Sequence, residues 1–165
     1  MTLALTLSDR LARARGDLRL GLPVALTGAG EVLAAAVETL TAARLADLRA
    51  LGVPELAITA RRAETLKARA YDGDLARLAV PEGAGLDWLA AVADPVDDLS
   101  TPMKGPFRSL RDGPAGAHRA ALGLAKSAHL LPAVVLVPVT DAAALAAAAG
   151  LTCLPVPELL ADLAQ

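Results

Sequence analysis

The sequence predicts a mixed α/β layer domain, in the α/β or α+β class, with helices packed on a sheet that has at least some parallel pairing. Two observations carry this prediction. Short β-type runs alternate with segments of helical spacing along most of the chain. The run Ala133–Val139 is rich in β-branched residues, as in a strand buried on both faces. Polar caps and glycines also punctuate the helical segments where starts and stops belong.

In order, Ser8 is placed to cap a helix over Asp9–Leu20, with Leu11, Ala14 and Leu18 on one face and arginines on the other. Leu22–Thr27 reads as a strand ended by Gly28-Ala29-Gly30, and Val32–Leu40 as a second strand paired across that turn. Thr41 caps a helix through Ala50, closed by Gly52. Glu55–Thr59 is a strand, and Ala60–Ala70 a polar-faced helix. Leu78-Ala79-Val80 is a short strand, Leu86–Val92 a helix, and Asp94–Pro114 a long loop. A loop of that length in a compact domain marks a functional or interface segment. Gly116–His129 is helical and stops before Pro132, and Ala133–Val139 is the buried strand. Thr140 or Asp141 caps the helix through Ala149, closed by Gly150. Leu151–Leu154 is a strand, and Pro155–Gln165 the last helix. With 165 residues and no internal repeat or linker, residues 1–165 read as a single domain.

Composition excludes several function classes. Hydrophobic residues make up 55% of the chain, so it must bury a substantial core. Aromatic residues are only 2%, too few for a base-stacking platform, and the net charge of -2 offers no general attraction to nucleic acid or an anionic membrane. Cys153 is the one cysteine, which excludes an internal disulfide and a thiolate zinc cage. The longest stretches without Asp, Glu, Lys or Arg, 127–140 and 142–157, are broken by proline or glycine and fall short of the ~20 residues that span a bilayer. No basic segment precedes the first apolar residues, so a cytoplasmic location without a signal peptide is expected. The alanine excess, a lone isoleucine at position 58 and the lack of asparagine reflect codon usage rather than function.

The candidate motifs are sparse. Gly28-Ala29-Gly30 is half of a dinucleotide fingerprint, but the third glycine position holds Leu33, and a tight turn is the better reading. His118 and His129 lie ~16 Å apart along one predicted helix and cannot share a metal. His118 and Arg119 at that helix start could contact an anion. Lys104, Arg108 and Arg111 in the long loop could meet a phosphate or a partner's carboxylates. Asp94, Asp97 and Asp98 could hold a hard cation, but beside a proline they read as a capped, solvated turn. Cys153 reads as a buried, inert thiol.

The run His118-Arg119-Ala120-Ala121-Leu122-Gly123-Leu124-Ala125-Lys126-Ser127-Ala128-His129-Leu130-Leu131-Pro132-Ala133 resembles the helix and strand entry of 3,4-dihydroxy-2-butanone 4-phosphate synthase. Leu151–Leu163 resembles that family's closing strand and helix, and Leu33–Gly52 its strand followed by a Thr-capped helix. The resemblance implies a synthase-like fold, a homodimer, and a place in riboflavin biosynthesis, where such a domain is often fused ahead of GTP cyclohydrolase II. In the family, magnesium held by a glutamate and a histidine acts on ribulose 5-phosphate. Set on this sequence, the acidic loop shrinks to Thr27-Gly28-Ala29-Gly30-Glu31. The metal histidine falls on Ala117, a second histidine on Pro106, and the Cys-Glu ending the buried strand on Val137-Pro138. The Thr- and Ser-rich segment before the mid-chain helix contracts to Pro81–Gly85. The resemblance therefore implies a degenerate, non-catalytic domain with no cofactor, with a structural or regulatory role and the 94–114 loop as its contact region. The alternative is a sugar-phosphate-binding enzyme or sensor with altered chemistry, using Glu31 as a residual acid with His118, Arg119 and the loop cations.

Overall fold

The computed structural model describes residues 3–100 and 105–165 and gives one seven-stranded sheet between two helical layers. The strands are β1 (Val24–Thr27), β2 (Val32–Ala36), β3 (Glu55–Thr59), β4 (Leu75–Ala79), β5 (Ser109–Leu110), β6 (Ala133–Pro138) and β7 (Cys153–Pro155). The helices are α1 (Leu7–Arg19), α2 (Ala42–Leu51), α3 (Ala60–Leu66), α4 (Leu86–Ala93), α5 (Gly116–Ser127), α6 (Ala142–Ala149) and α7 (Val156–Leu163). The sheet order is β5-β4-β3-β6-β2-β1-β7. Its parallel component is the β1–β7 pair, and the remaining pairs are antiparallel.

Side chains alternate across the strands, and each face supports its own core. In β6, Val134 and Leu136 face a layer made by α1, α5 and α7, while Val135 and Val137 face α2, α4 and α6. β2 divides in the same way, with Val32 and Ala34 on the first face and Leu33 and Ala35 on the second. Burial on both faces explains why these strands read as unbroken apolar runs. Leu18, Leu56, Leu124, Leu136 and Leu159 are among the large side chains fully removed from solvent.

Several boundaries differ from the sequence expectation. Thr6, not Ser8, caps α1: its hydroxyl accepts from Asp9 N while the Asp9 carboxylate accepts from Thr6 N, a reciprocal capping box. The second strand stops at Ala36 and passes into a 3-10 turn at Val37–Thr39, where the Glu38 carboxylate accepts from Leu131 N. α3 ends at Leu66, with Lys67 in the left-handed region, rather than running to Ala70. β4 begins at Leu75, earlier than the expected Leu78. Of the two caps expected for α6, Thr140 and Asp141, it is Asp141 that serves. Thr41 and Gly52 bound α2 as expected.

The 94–114 segment contains local structure. The Asp94 carboxylate accepts from Val96 N and starts a 3-10 turn at Pro95–Asp97, as in the capped-turn reading. Arg62 is 9% exposed and fastens this turn to α4. It donates to the carbonyls of Ala91 and Val92 and makes a two-point pair with the Asp98 carboxylate at 2.7 and 2.8 Å. Farther along, β5 pairs with β4 at the sheet edge. At the opposite edge Arg10 of α1 donates to the Cys153 carbonyl and covers part of β7. Among the described residues no helix is long and apolar enough to cross a membrane.

Candidate functional site

One end of the sheet collects the β1–β2 turn, the end of β6, the start of β3 and the first turn of α5. Gly28 and Gly30 both have φ near +95°, at 94° and 95°, a conformation glycine adopts without a Cβ clash. The turn they shape packs on the helix: a Cβ at Gly116 would lie 3.4 Å from that of Ala29. Glu31 ties the turn to its surroundings. Its carboxylate accepts from Gly28 N at 3.1 Å and from Ala142 N at 3.3 Å, and its carbonyl accepts from Val139 N. The residual acid of the sequence analysis is thus engaged with backbone donors.

His118, in the first turn of α5, is 6% exposed, and its Nε2 lies 2.7 Å from Glu55 Oε1 at the start of β3. Its Nδ1 is buried without a hydrogen-bond partner among the described residues. Ala115 precedes the helix and offers no capping side chain. Glu55 faces α5 because it alternates with Ala57, which belongs to the core on that side. Its 63-residue separation from His118 hid the pair from any local motif.

At the other end of β3, two arginines hold the Asp72-Gly73-Asp74 turn that leads into β4. Arg77 is 3% exposed. It forms a two-point pair with Asp72 at 2.8 and 3.1 Å and donates to the carbonyls of Asp112 and Gly113. Arg119 forms a two-point pair with Asp74 at 2.7 and 2.8 Å and also donates to the Asp72 carbonyl. Arg111 stacks its guanidinium 5.2 Å from the centre of the Tyr71 ring. Arg108 is exposed, and its carbonyl accepts from Ala79 N. Lys104 lies outside the described residues. His118, Arg119 and Arg111 therefore each have a separate partner and do not share one anion site. Glu55, Asp72, Asp74 and Arg77 were not found by sequence reasoning, which had no long-range pairing signal to use.

The Arg119 guanidinium, hydrogen-bonded to Asp74, holds that carboxyl below the ordinary carboxylate range against the opposing effect of burial. A carboxyl depressed in the folded state stabilises above its unfolded value, about 3.9, and loses that contribution as pH falls through the folded value. With the two side chains 41% and 56% exposed, solvent screening limits the contribution to about 1 kcal/mol or less. Urea midpoints are therefore expected to separate wild type from Asp74→Asn near neutral pH and to converge as pH falls through the lowered folded value of Asp74. A difference that persists at the acidic end would mean that Asp74 acts through something other than its charge. Burial, the larger influence, pushes the half-buried Cys153 thiol up, consistent with an unreactive side chain.

The magnesium implied by the resemblance does not fit the residues present. Ala117, Pro106 and Pro138 carry no donor side chain where ligands or acids are expected, and Glu31 is engaged by two backbone N–H groups. Among the described residues no three His, Cys, Asp or Glu side chains gather closely enough to hold a metal ion.

The architecture defines a three-layer α/β/α domain with a mixed sheet, closed at one end by the β1–β2 turn and the start of α5. That fold is the 3,4-dihydroxy-2-butanone 4-phosphate synthase fold. A cation-free crystal structure of this synthase superposes with a TM-score of 0.67 at 16% identity, covering 92% of this chain and 95% of that one. The Candida albicans synthase gives 0.66 at 15% identity, covering 94% and 97%. A two-domain synthase from A. baumannii gives 0.62 at 18% identity, covering 91% of this chain and 56% of that chain. In sequence, the chain is 34% identical over 134 residues to GTP cyclohydrolase-2 of Azospirillum brasilense, an alignment covering 78% of this chain and 34% of that protein. The chain thus spans about a third of the length of this curated relative. No family model matches the chain.

Proposed function

We propose that this chain is a synthase-fold domain of riboflavin biosynthesis that carries no synthase chemistry itself and acts structurally or as a regulator beside a GTP cyclohydrolase II domain in the cytoplasm. One observation carries the reading: at the end of the sheet where the resemblance calls for ligands and acids, the carboxylates of Glu55 and Glu31 are already engaged. Glu55 holds His118, and Glu31 accepts from the backbone N–H groups of Gly28 and Ala142. The synthase reaction needs a polarised sugar carbonyl and groups that move protons, and among the described residues no third His, Cys, Asp or Glu joins the Glu55–His118 pair to hold a cation.

The likeness to a GTP cyclohydrolase-2 supports the pathway and the partner, which would be a second domain or a separate subunit. A homodimer is part of the proposal, with contacts from the 94–114 segment. Val96 and Leu99 there are 76% and 99% exposed, the kind of apolar surface an interface covers. No role in nucleic-acid or membrane binding is proposed.

The test follows formate release from ribulose 5-phosphate and magnesium, with an authentic synthase as the positive control. The expected trace is flat for the folded domain. Turnover above the no-enzyme rate would overturn the reading, favour the altered-chemistry alternative, and make Glu55 and His118 the first residues to replace.

A further inference from the structure

A cavity of about 270 Å³ opens between α5 and α7 beside the start of β4, apart from the Glu55–His118 pair. Its walls are apolar, with Leu122 from α5 and Leu160 and Leu163 from α7. Its rim is charged. Arg119 and Lys126, two turns apart on one face of α5, stand with Asp74 at the mouth. Two cations against one carboxylate leave the rim with an excess positive charge. Asp74 already feels both cations, through its hydrogen bonds to Arg119 and the field of Lys126.

We infer that this cavity is a binding site for a small amphipathic anion, whose apolar body lies between Leu122, Leu160 and Leu163 and whose carboxylate is held by Arg119 and Lys126 in competition with Asp74. The apolar walls reward a ligand with a hydrocarbon part. The rim rewards a negative head group. Asp74 is the built-in competitor: its carboxylate occupies Arg119 in the two-point geometry a ligand carboxylate would take. The inference does not depend on the function proposed above.

The test is an NMR titration of the whole chain with octanoate below its micellar range, alongside octanol and acetate, which each carry one half of the probe. Octanoate is expected to give saturable shifts confined to the facing sides of α5 and α7, with much weaker responses from the other two. Asp74→Asn, which removes the competitor, is expected to tighten octanoate about three- to tenfold, and Lys126→Gln to weaken it by a similar factor. Opposite responses from two surface variants separate a charge-gated site from loss of folding, which the spectra themselves report. The inference is overturned if octanoate does not saturate, if octanol or acetate matches it, or if Asp74→Asn binds no more tightly than wild type.

Discussion

Replacing Arg77 with methionine is expected to cost about 3–5 kcal/mol of stability, a large part of the ~5–15 kcal/mol that holds a typical domain together. Methionine keeps an unbranched apolar stem and removes the charge and the donors. Asp72, whose side chain is 14% exposed, would be left without its cation, and the carbonyls of Asp112 and Gly113 without their donor. A buried group that loses its partner bears the full desolvation cost, which exceeds the net value of the bond itself. Urea unfolding should show a lower midpoint with little change in slope. The double variant Arg77→Met/Asp72→Leu should recover much of the loss, because no carboxylate then remains stranded. A single variant within about 0.5 kcal/mol of wild type would show that the pair contributes little in solution.

Arg62→Met is expected to cost about 2–4 kcal/mol by a related route with a more local consequence. Arg62 closes the C-terminal end of α4 through the carbonyls of Ala91 and Val92, and holds Asp98 across the following turn. Its loss should release the segment after α4 before the domain as a whole opens. Hydrogen exchange should therefore quicken in 91–98 by more than in β6, and limited proteolysis should nick that segment first. Uniform acceleration across the sheet would instead assign Arg62 to global stability.

These two arginines also mark where the sequence ceases to be legible. Thr41 and Gly52 bracket α2, Asp141 and Gly150 bracket α6, and Glu55–Thr59 forms a strand as expected, because side-chain caps, closing glycines and apolar runs act over a few residues. The start of β4 is missed because Arg77 interrupts an apolar pattern, and its burial depends on Asp72 and on carbonyls 35 and 36 residues away. The Thr6-Leu7-Ser8-Asp9 capping box is present in the sequence, but the serine nearer the apolar stripe places the expected cap two residues too late. At the candidate site, His118 was identified as a residue but not by its partner. A pair between the start of a strand and the start of a distant helix has no local signature. The resemblance in the C-terminal third conveyed the architecture, and the solved synthase structures match it over more than nine-tenths of the chain.

The position of β6 also sets an order on the ribosome. β1–β2 and β3–β4 are each complete by residue 79, yet in the finished sheet β2 and β3 do not touch: β6, at 133–138, lies between them. The emerging chain thus carries two half-sheets whose inner edges stay open until the middle strand is made. Closure awaits contacts of long sequence separation, which makes folding slow. During that interval the apolar edges of β2 and β3 are the surfaces a holding chaperone would shield, and a stall before residue 133 would leave both exposed.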